Sequence, residues 1–253
     1  MLNLRSSYPL NSLLLNTGLL HVALLLVFIA ASVFDQRQLL GINLWVKPIK
    51  FALSIAIYCL TFAYIIPYLP MQAVQHNFAW FTTVALTFEM VAIASQAAMG
   101  RQSHFNVSTP YSGVLFSLMG IFIVLQTLFA LYVGILFFGV QPGALTPAML
   151  WAIRLGIIIA CGFAFQGGYM ASKLSHTVGA ADGGPGLPLL NWSRKAGDMR
   201  VAHFIGLHAL QVIPLFVIIC GINKVTHVFI FSGCYFLFTS ALFYQALQGR
   251  PLL

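Results

Sequence analysis

Residues 113–138, GVLFSLMGIFIVLQTLFALYVGILFF, decide what kind of molecule this is. The run holds no Asp, Glu, Lys or Arg, and it exceeds the ~20 apolar residues that an α-helix needs to cross hydrocarbon. In water such a surface would have nothing polar to offer. In lipid it needs nothing, because a helix satisfies its own backbone hydrogen bonds. Working outward, residues 12–34, 49–69, 78–100, 147–170, 201–222 and 225–247 are likewise runs of about 20 or more mostly apolar residues, each with at most one charged side chain. The expectation is an all-α, polytopic bundle of about seven transmembrane helices, forming one integral membrane domain over 1–253.

Composition supports this over the whole chain. Of 253 residues 60% are hydrophobic and 6% are charged, and the mean hydropathy is +0.93, whereas a soluble domain is about one quarter charged. The net charge of +8 would suggest a nucleic-acid partner in a soluble protein. Here the basic residues stand between hydrophobic runs rather than in an aromatic-studded patch, so no nucleic-acid partner is expected. The four cysteines, Cys59, Cys161, Cys220 and Cys234, sit singly in apolar stretches without CxxC spacing, and read as packing residues.

The four tryptophans, Trp45, Trp80, Trp151 and Trp192, fall at or just outside predicted helix ends, where an amphipathic indole prefers the headgroup layer. Orientation follows from the basic residues, leaving out Arg154 within the fifth span. Arg5 and Lys224 fall on one side, against Arg37, Lys47, Lys50, Arg101, Lys173, Arg194, Lys195, Arg200 and Arg250 on the other. The positive-inside rule then places the amino terminus outside and the carboxyl terminus in the cytoplasm, with the plasma (cell inner) membrane as the expected location. Residues 18–29 followed by Ala30-Ala31-Ser32 resemble a cleavable leader, but the positive charges come after the segment, which favours a retained helix.

The longest connection, 171–200, contains Gly183-Gly184-Pro185-Gly186 and Pro188, which disfavour any regular element. No GK[ST] follows its glycines, so a phosphate-cradling loop is not indicated. A faint internal echo pairs Gln96 and Ser103-His104 with Gln166 and Ser175-His176. The Asn106-Val107-Ser108 and Asn191-Trp192-Ser193 sequons lie on the side expected to be cytoplasmic.

Chemistry-bearing residues collect at the basic ends of the helices. Glu89 is the one acidic residue expected near mid-membrane, and Gln96 follows two turns later on the same face. Asp198 and Glu89 are the candidate proton-moving groups, and Lys47, Lys50, Gln96, Arg101, Asn106, Arg200 and Gln211 the candidate ligand-binding set. His104, His203 and His208 are the candidate metal or haem ligands. His208 is the first choice for haem and His21 a distant partner, with propionates meeting Lys47, Lys50, Arg101 or Arg200. The spacing of His203 and His208 turns their rings roughly 140° apart on a helix, so one ion would need a third ligand such as His104. His76, His176 and His227 read as interfacial, and Arg154 as a side chain snorkelling to water.

Three functions follow from these residues. The first is a transporter, sensor or redox subunit whose pocket opens to the cytoplasm and binds a divalent metal, haem, an anionic small molecule or a lipid headgroup. The second is an intramembrane metal-dependent hydrolase. The third is a structural or assembly subunit in the bilayer.

Overall fold

The computed structural model describes residues 9–183, 186–188 and 190–252. Arg5 and the Gly184-Pro185 portion of the glycine-rich stretch lie outside the described residues. Eight α-helices run in the order α1 (Ser12–Phe34), α2 (Val46–Ile65), α3 (Gln72–Ala98), α4 (Pro110–Leu136), α5 (Pro147–Lys173), α6 (Met199–Leu207), α7 (Ala209–Ile219) and α8 (Val225–Leu247). Six are long and apolar enough to cross a membrane, α2 and α4 with short 3-10 extensions. The bent pair α6–α7 passes the same test only when taken together, as a broken span or a re-entrant loop, so the spans number six or seven among the described residues.

Local chemistry sets the helix starts. The side chains of Asn11, Thr109, Thr146 and Asp198 each accept a backbone N–H of the following turn, from Leu14, Ser112, Met149 and Arg200. Pro110 and Pro147 fill first-turn positions where a missing N–H costs nothing. The expected sixth span is interrupted at His208, where α6 and α7 meet at 49°. The break frees local backbone groups, and Tyr235 of α8 donates its hydroxyl to the Ile205 carbonyl there.

The connection expected to lack regular structure contains a small antiparallel pair, β3 (Thr177–Val178) with β4 (Gly197–Asp198), Thr177 facing Asp198. A matching pair, β1 (Gln38–Leu39) with β2 (Ile42–Asn43), turns the chain between α1 and α2. A Cβ on Gly197 would collide with the backbone of Ala246, so glycine lets β4 lie directly against the end of α8. That approach brings Asp198 in under the bundle.

Helix α5 is the most enclosed span and packs on α4, α6, α7 and α8, whereas α1 and α8 turn most of their surface outward. Phe62, Phe78, Phe137 and Ile153 belong to one large apolar cluster in the half of the bundle away from the lysines. Cys59 and Cys161 are packed within the bundle as expected. Cys220 and Cys234 are instead exposed on its outer surface, where lipid accepts a thiol as readily as a neighbouring helix would.

Arg154 corrects another expectation. Its guanidinium does not reach for water but turns onto the end of α4, donating to the carbonyls of Phe137 at 3.0 Å, Phe138 at 3.4 Å and Val140 at 2.7 Å. Trp151 and Phe138 flank it, with ring centroids at 4.8 and 5.3 Å. A helix end in an apolar setting leaves carbonyls without donors, and Arg154 supplies them. Replacing it, Arg154→Leu, strands these carbonyls and is expected to cost about 3 kcal/mol. A lowered thermal unfolding midpoint in detergent micelles reads this; an unchanged midpoint would show the bonds to be dispensable.

Candidate functional site

Helix parity brings the amino ends of α2, α4 and α6 and the carboxyl ends of α3, α5 and α8 to one end of the bundle. The polar residues of that end form two adjoining groups. Asp198, 2% exposed, is the hub of the first. It accepts from the backbone N–H of Ser193 at 2.8 Å and of Arg200 at 3.0 Å, and it takes the Arg200 side chain in a two-pronged contact at 2.6 and 2.9 Å. Arg200 also donates to the Asn191 carbonyl at 2.5 Å. Asn191 holds a left-handed backbone, φ +52°, to present it.

His176 joins this group. Its Nδ1 lies 3.4 Å from Asp182 and 3.9 Å from Asp198. Asp182 in turn collects Ser175 Oγ at 2.8 Å and the backbone N–H of Thr177 at 2.9 Å. The interfacial reading of His176 is therefore corrected, because the β3–β4 pairing folds it inward. Asp182 had drawn no attention, and its position in a glycine-rich loop just after Ser175-His176-Thr177 is the only hint the chain offers.

The second group centres on Glu89, 2% exposed and about two and a half turns inside the carboxyl end of α3. One carboxylate oxygen lies 3.4 Å from His104 Nε2; the other has no hydrogen-bond donor among the described residues. His104 Nδ1 meets Ser103 Oγ at 3.2 Å. The rings of Phe51, Phe105 and Phe116 surround the imidazole with centroids at 5.6, 6.3 and 6.1 Å. Phe105 also has a left-handed backbone, φ +59°, an unusual state for a bulky residue, and its ring stands between His104 and His176. The two Ser-His pairs of the sequence echo thus converge on one aromatic side chain.

Lys47 and Lys50 stand on the first two turns of α2, beside both groups. Lys50 donates to the Leu190 carbonyl at 3.2 Å and has no acidic partner among the described residues. The Lys47 ammonium makes no hydrogen bond or ion pair among them, and it stands 5.8 Å from the centroid of the Phe51 ring. It lies within electrostatic reach of Glu89, Lys50 and Arg200.

Other expected members are elsewhere. Gln96 is buried two turns from Glu89 toward the carboxyl end of α3, its carbonyl oxygen without a donor among the described residues. The Arg101 side chain is exposed. Asn106 serves its own loop, accepting from the Ser108 N–H and hydroxyl. Gln211 donates to Thr61 on α2 at 3.1 Å, tying two helices deep in the bundle.

The three histidines expected at a metal do not assemble. His203 packs on Gly167 and places Nδ1 2.8 Å from the Phe163 carbonyl, near enough to His104 to be felt by it. His208 lies at the helix break with its ring folded onto Phe204, centroids 4.3 Å apart, and Nδ1 at the Phe204 carbonyl. Among the described residues no group of three His, Cys, Asp or Glu could hold a metal ion. Comparison with known proteins returns no match to a family model, a curated protein or a solved structure.

Burial, followed by the charges of Lys47 and His203, holds the His104 imidazole well below its ordinary pKa. Burial and the nearby Arg200 bring His176 down to about 4, against the opposing pull of Asp182 and Asp198. Both rings are therefore neutral in the fold at neutral pH. An unfolded chain takes up protons on them as pH falls below roughly 6.5, while the folded chain refuses them until lower pH. Stability should accordingly fall as pH drops from about 6.5 toward about 4. His176→Gln should flatten that decline, as read by thermal midpoints across the interval; an identical pH profile would contradict it. Asp198→Ala, which leaves Arg200 and the Ser193 N–H without their acceptor, is expected to cost about 3 kcal/mol or more in the same measurement.

Proposed function

We propose that this multi-pass membrane protein binds a small anion, a carboxylate or phosphate group, at the lysine-bearing end of the bundle, and that this end opens to the cytoplasm. The observation that carries the reading is the contrast among the cations. Arg37 and Arg200 are matched to Asp35 and Asp198 at 2.7 and 2.6 Å, and Arg154 to carbonyls. Lys47 and Lys50, half-buried and one turn apart, have no carboxylate within ion-pair distance among the described residues.

Their placement makes the contrast sharper. They occupy the first two turns of α2, which has no side-chain cap and whose dipole already raises the positive potential. Positive charge there is unfavourable in the empty protein and favourable once an anion arrives. Aromatic walls from Phe51, Phe105 and Phe116 suit a ligand with an apolar body behind its charged head. The imbalance of Lys and Arg between the two faces supports the cytoplasmic assignment. Metal-dependent hydrolysis has no comparable support, since its ligands lie apart.

The test uses the full-length protein in neutral detergent, with inorganic phosphate and acetate as probes and the thermal unfolding midpoint as readout. A saturable rise is expected, worth about 2.7 kcal/mol at a hundredfold excess over Kd. Lys47→Gln should remove that rise while increasing the midpoint in anion-free buffer, because an uncompensated ammonium has gone. Nanodiscs of phosphatidylglycerol against phosphatidylcholine separate a lipid headgroup from a free anion: a shift with the former alone assigns the site to lipid. No response to phosphate, acetate or anionic lipid overturns the reading.

A further inference from the structure

Glu89 on α3 and Lys47 on α2 are brought near one another by the register of the two helices. Gln126 of α4 donates to Tyr58 of α2 at 3.0 Å and to Thr82 of α3 at 2.9 Å, which sets those two residues about level across the antiparallel pair. Seven residues from each toward the lysine-bearing end, Glu89 comes level with Phe51, and Lys47 stands one turn, about 6 Å, nearer that end. The side chains agree with this register. The Phe51 ring has the Lys47 ammonium 5.8 Å and the His104 ring 5.6 Å from its centroid, and His104 Nε2 lies 3.4 Å from Glu89 Oε1.

Lys47 and Glu89 are therefore within electrostatic reach, yet they form no ion pair. In an apolar bundle direct contact would relieve both, because a charge without a partner is costly there. Beside them, the His104 side chain keeps 26% of its surface free although Phe51, Phe105 and Phe116 pack around it, so the contact with Glu89 borders an opening.

A simple anion satisfies only half of this arrangement. It gives Lys47 and Lys50 a counter-charge, but it brings no donor to Glu89, whose Oε2 is buried without one, and it sets two negative groups side by side. Gln96 Oε1, two turns nearer the lysine-bearing end on the same face of α3, also lacks a donor among the described residues. The piece that completes the site is a cation attached to the anion.

We propose that the site takes a zwitterion, an ammonium a few bonds from a carboxylate or phosphate, with an apolar group beyond. The anion meets Lys47 and Lys50, the ammonium meets Glu89, and the apolar group lies against the phenylalanine rings. Charge-assisted hydrogen bonds of about 2.8 Å at each end of such a head suit the one-turn offset between the two side chains. The inference rests on the anion reading and names its ligand class.

The experiment titrates the full-length protein in neutral detergent by calorimetry. Its probes share one shape: L-phenylalanine, 3-phenylpropionate, which lacks the ammonium, and 2-phenylethylamine, which lacks the carboxylate. L-Phenylalanine is expected to bind about tenfold more tightly than either. Glu89→Gln should erase its advantage over 3-phenylpropionate, and Lys47→Gln its advantage over 2-phenylethylamine. Nanodiscs of phosphatidylethanolamine against phosphatidylglycerol pose the same question for a lipid: a higher thermal midpoint in the former, lost in Glu89→Gln, assigns the zwitterion to a headgroup. The wild-type comparisons decide the matter without any variant, whether or not Glu89→Gln folds. L-Phenylalanine bound no more tightly than 3-phenylpropionate, together with no preference for phosphatidylethanolamine, overturns the proposal. So does 2-phenylethylamine bound as tightly as L-phenylalanine, or an ammonium preference that survives in folded Glu89→Gln. If 3-phenylpropionate still binds and Lys47→Gln abolishes it, the zwitterion falls and the anion reading stands; if no anion binds, both fall.

Discussion

Hydrocarbon offers no hydrogen bonds, so every polar group in this bundle must find its partner within the protein. That constraint explains the strongest structural features. Arg154 is drawn onto the carbonyls that α4 leaves at its end, between two aromatic rings, rather than out to water. Gln126 reaches Tyr58 and Thr82 together, joining α2, α3 and α4 through one amide. Arg37 locks onto Asp35 and also donates to the Ala98 carbonyl, fastening the end of α1 to the end of α3. In each, a donor is met by a neighbour from another helix, although the Gln126 carbonyl oxygen has no donor among the described residues.

The constraint is left unmet at a few buried atoms of the described residues, on His21, Glu89, Gln96, Gln126, Gln166 and Ser232. Lys47 has no ion-pair partner among the described residues, though it lies within electrostatic reach of Glu89, and Glu89, His21 and Gln96 have lone pairs without donors among those residues. Of these, Lys47, Glu89 and Gln96 lie toward the lysine-bearing end, and the anion reading uses the rim of this arrangement.

The connection between α5 and α6 completes the rim. Gly197 permits backbone contact with α8, which carries Asp198 inward and makes it at once the cap of α6, the partner of Arg200 and a neighbour of His176. Two non-glycine residues of that end, Phe105 and Asn191, hold left-handed backbones while presenting a ring and a carbonyl to the cluster. Strain of this kind persists only where the surroundings hold it, as the Arg200 bond to Asn191 does here.

Length and apolarity alone marked the six long spans, and at α6–α7 a seventh stretch that the structure bends. The boundaries of α1 and α8 are legible to the residue, because the bilayer is an apolar solvent of fixed thickness and demands a fixed length. Gathering of Lys47, Glu89, His104, Asp198 and Arg200 at one end was legible as well, since alternating spans return every second connection to the same face. What pairs with what was not. His176 looked interfacial until β3–β4 folded it onto Asp182, Asp198 needed Gly197 to reach its place, and His208 was turned from its expected neighbours by a break in the helix. A transmembrane pattern records which residues dislike lipid but not the rotation of one helix against another, and that rotation decides which polar groups meet and which are left to bind something else.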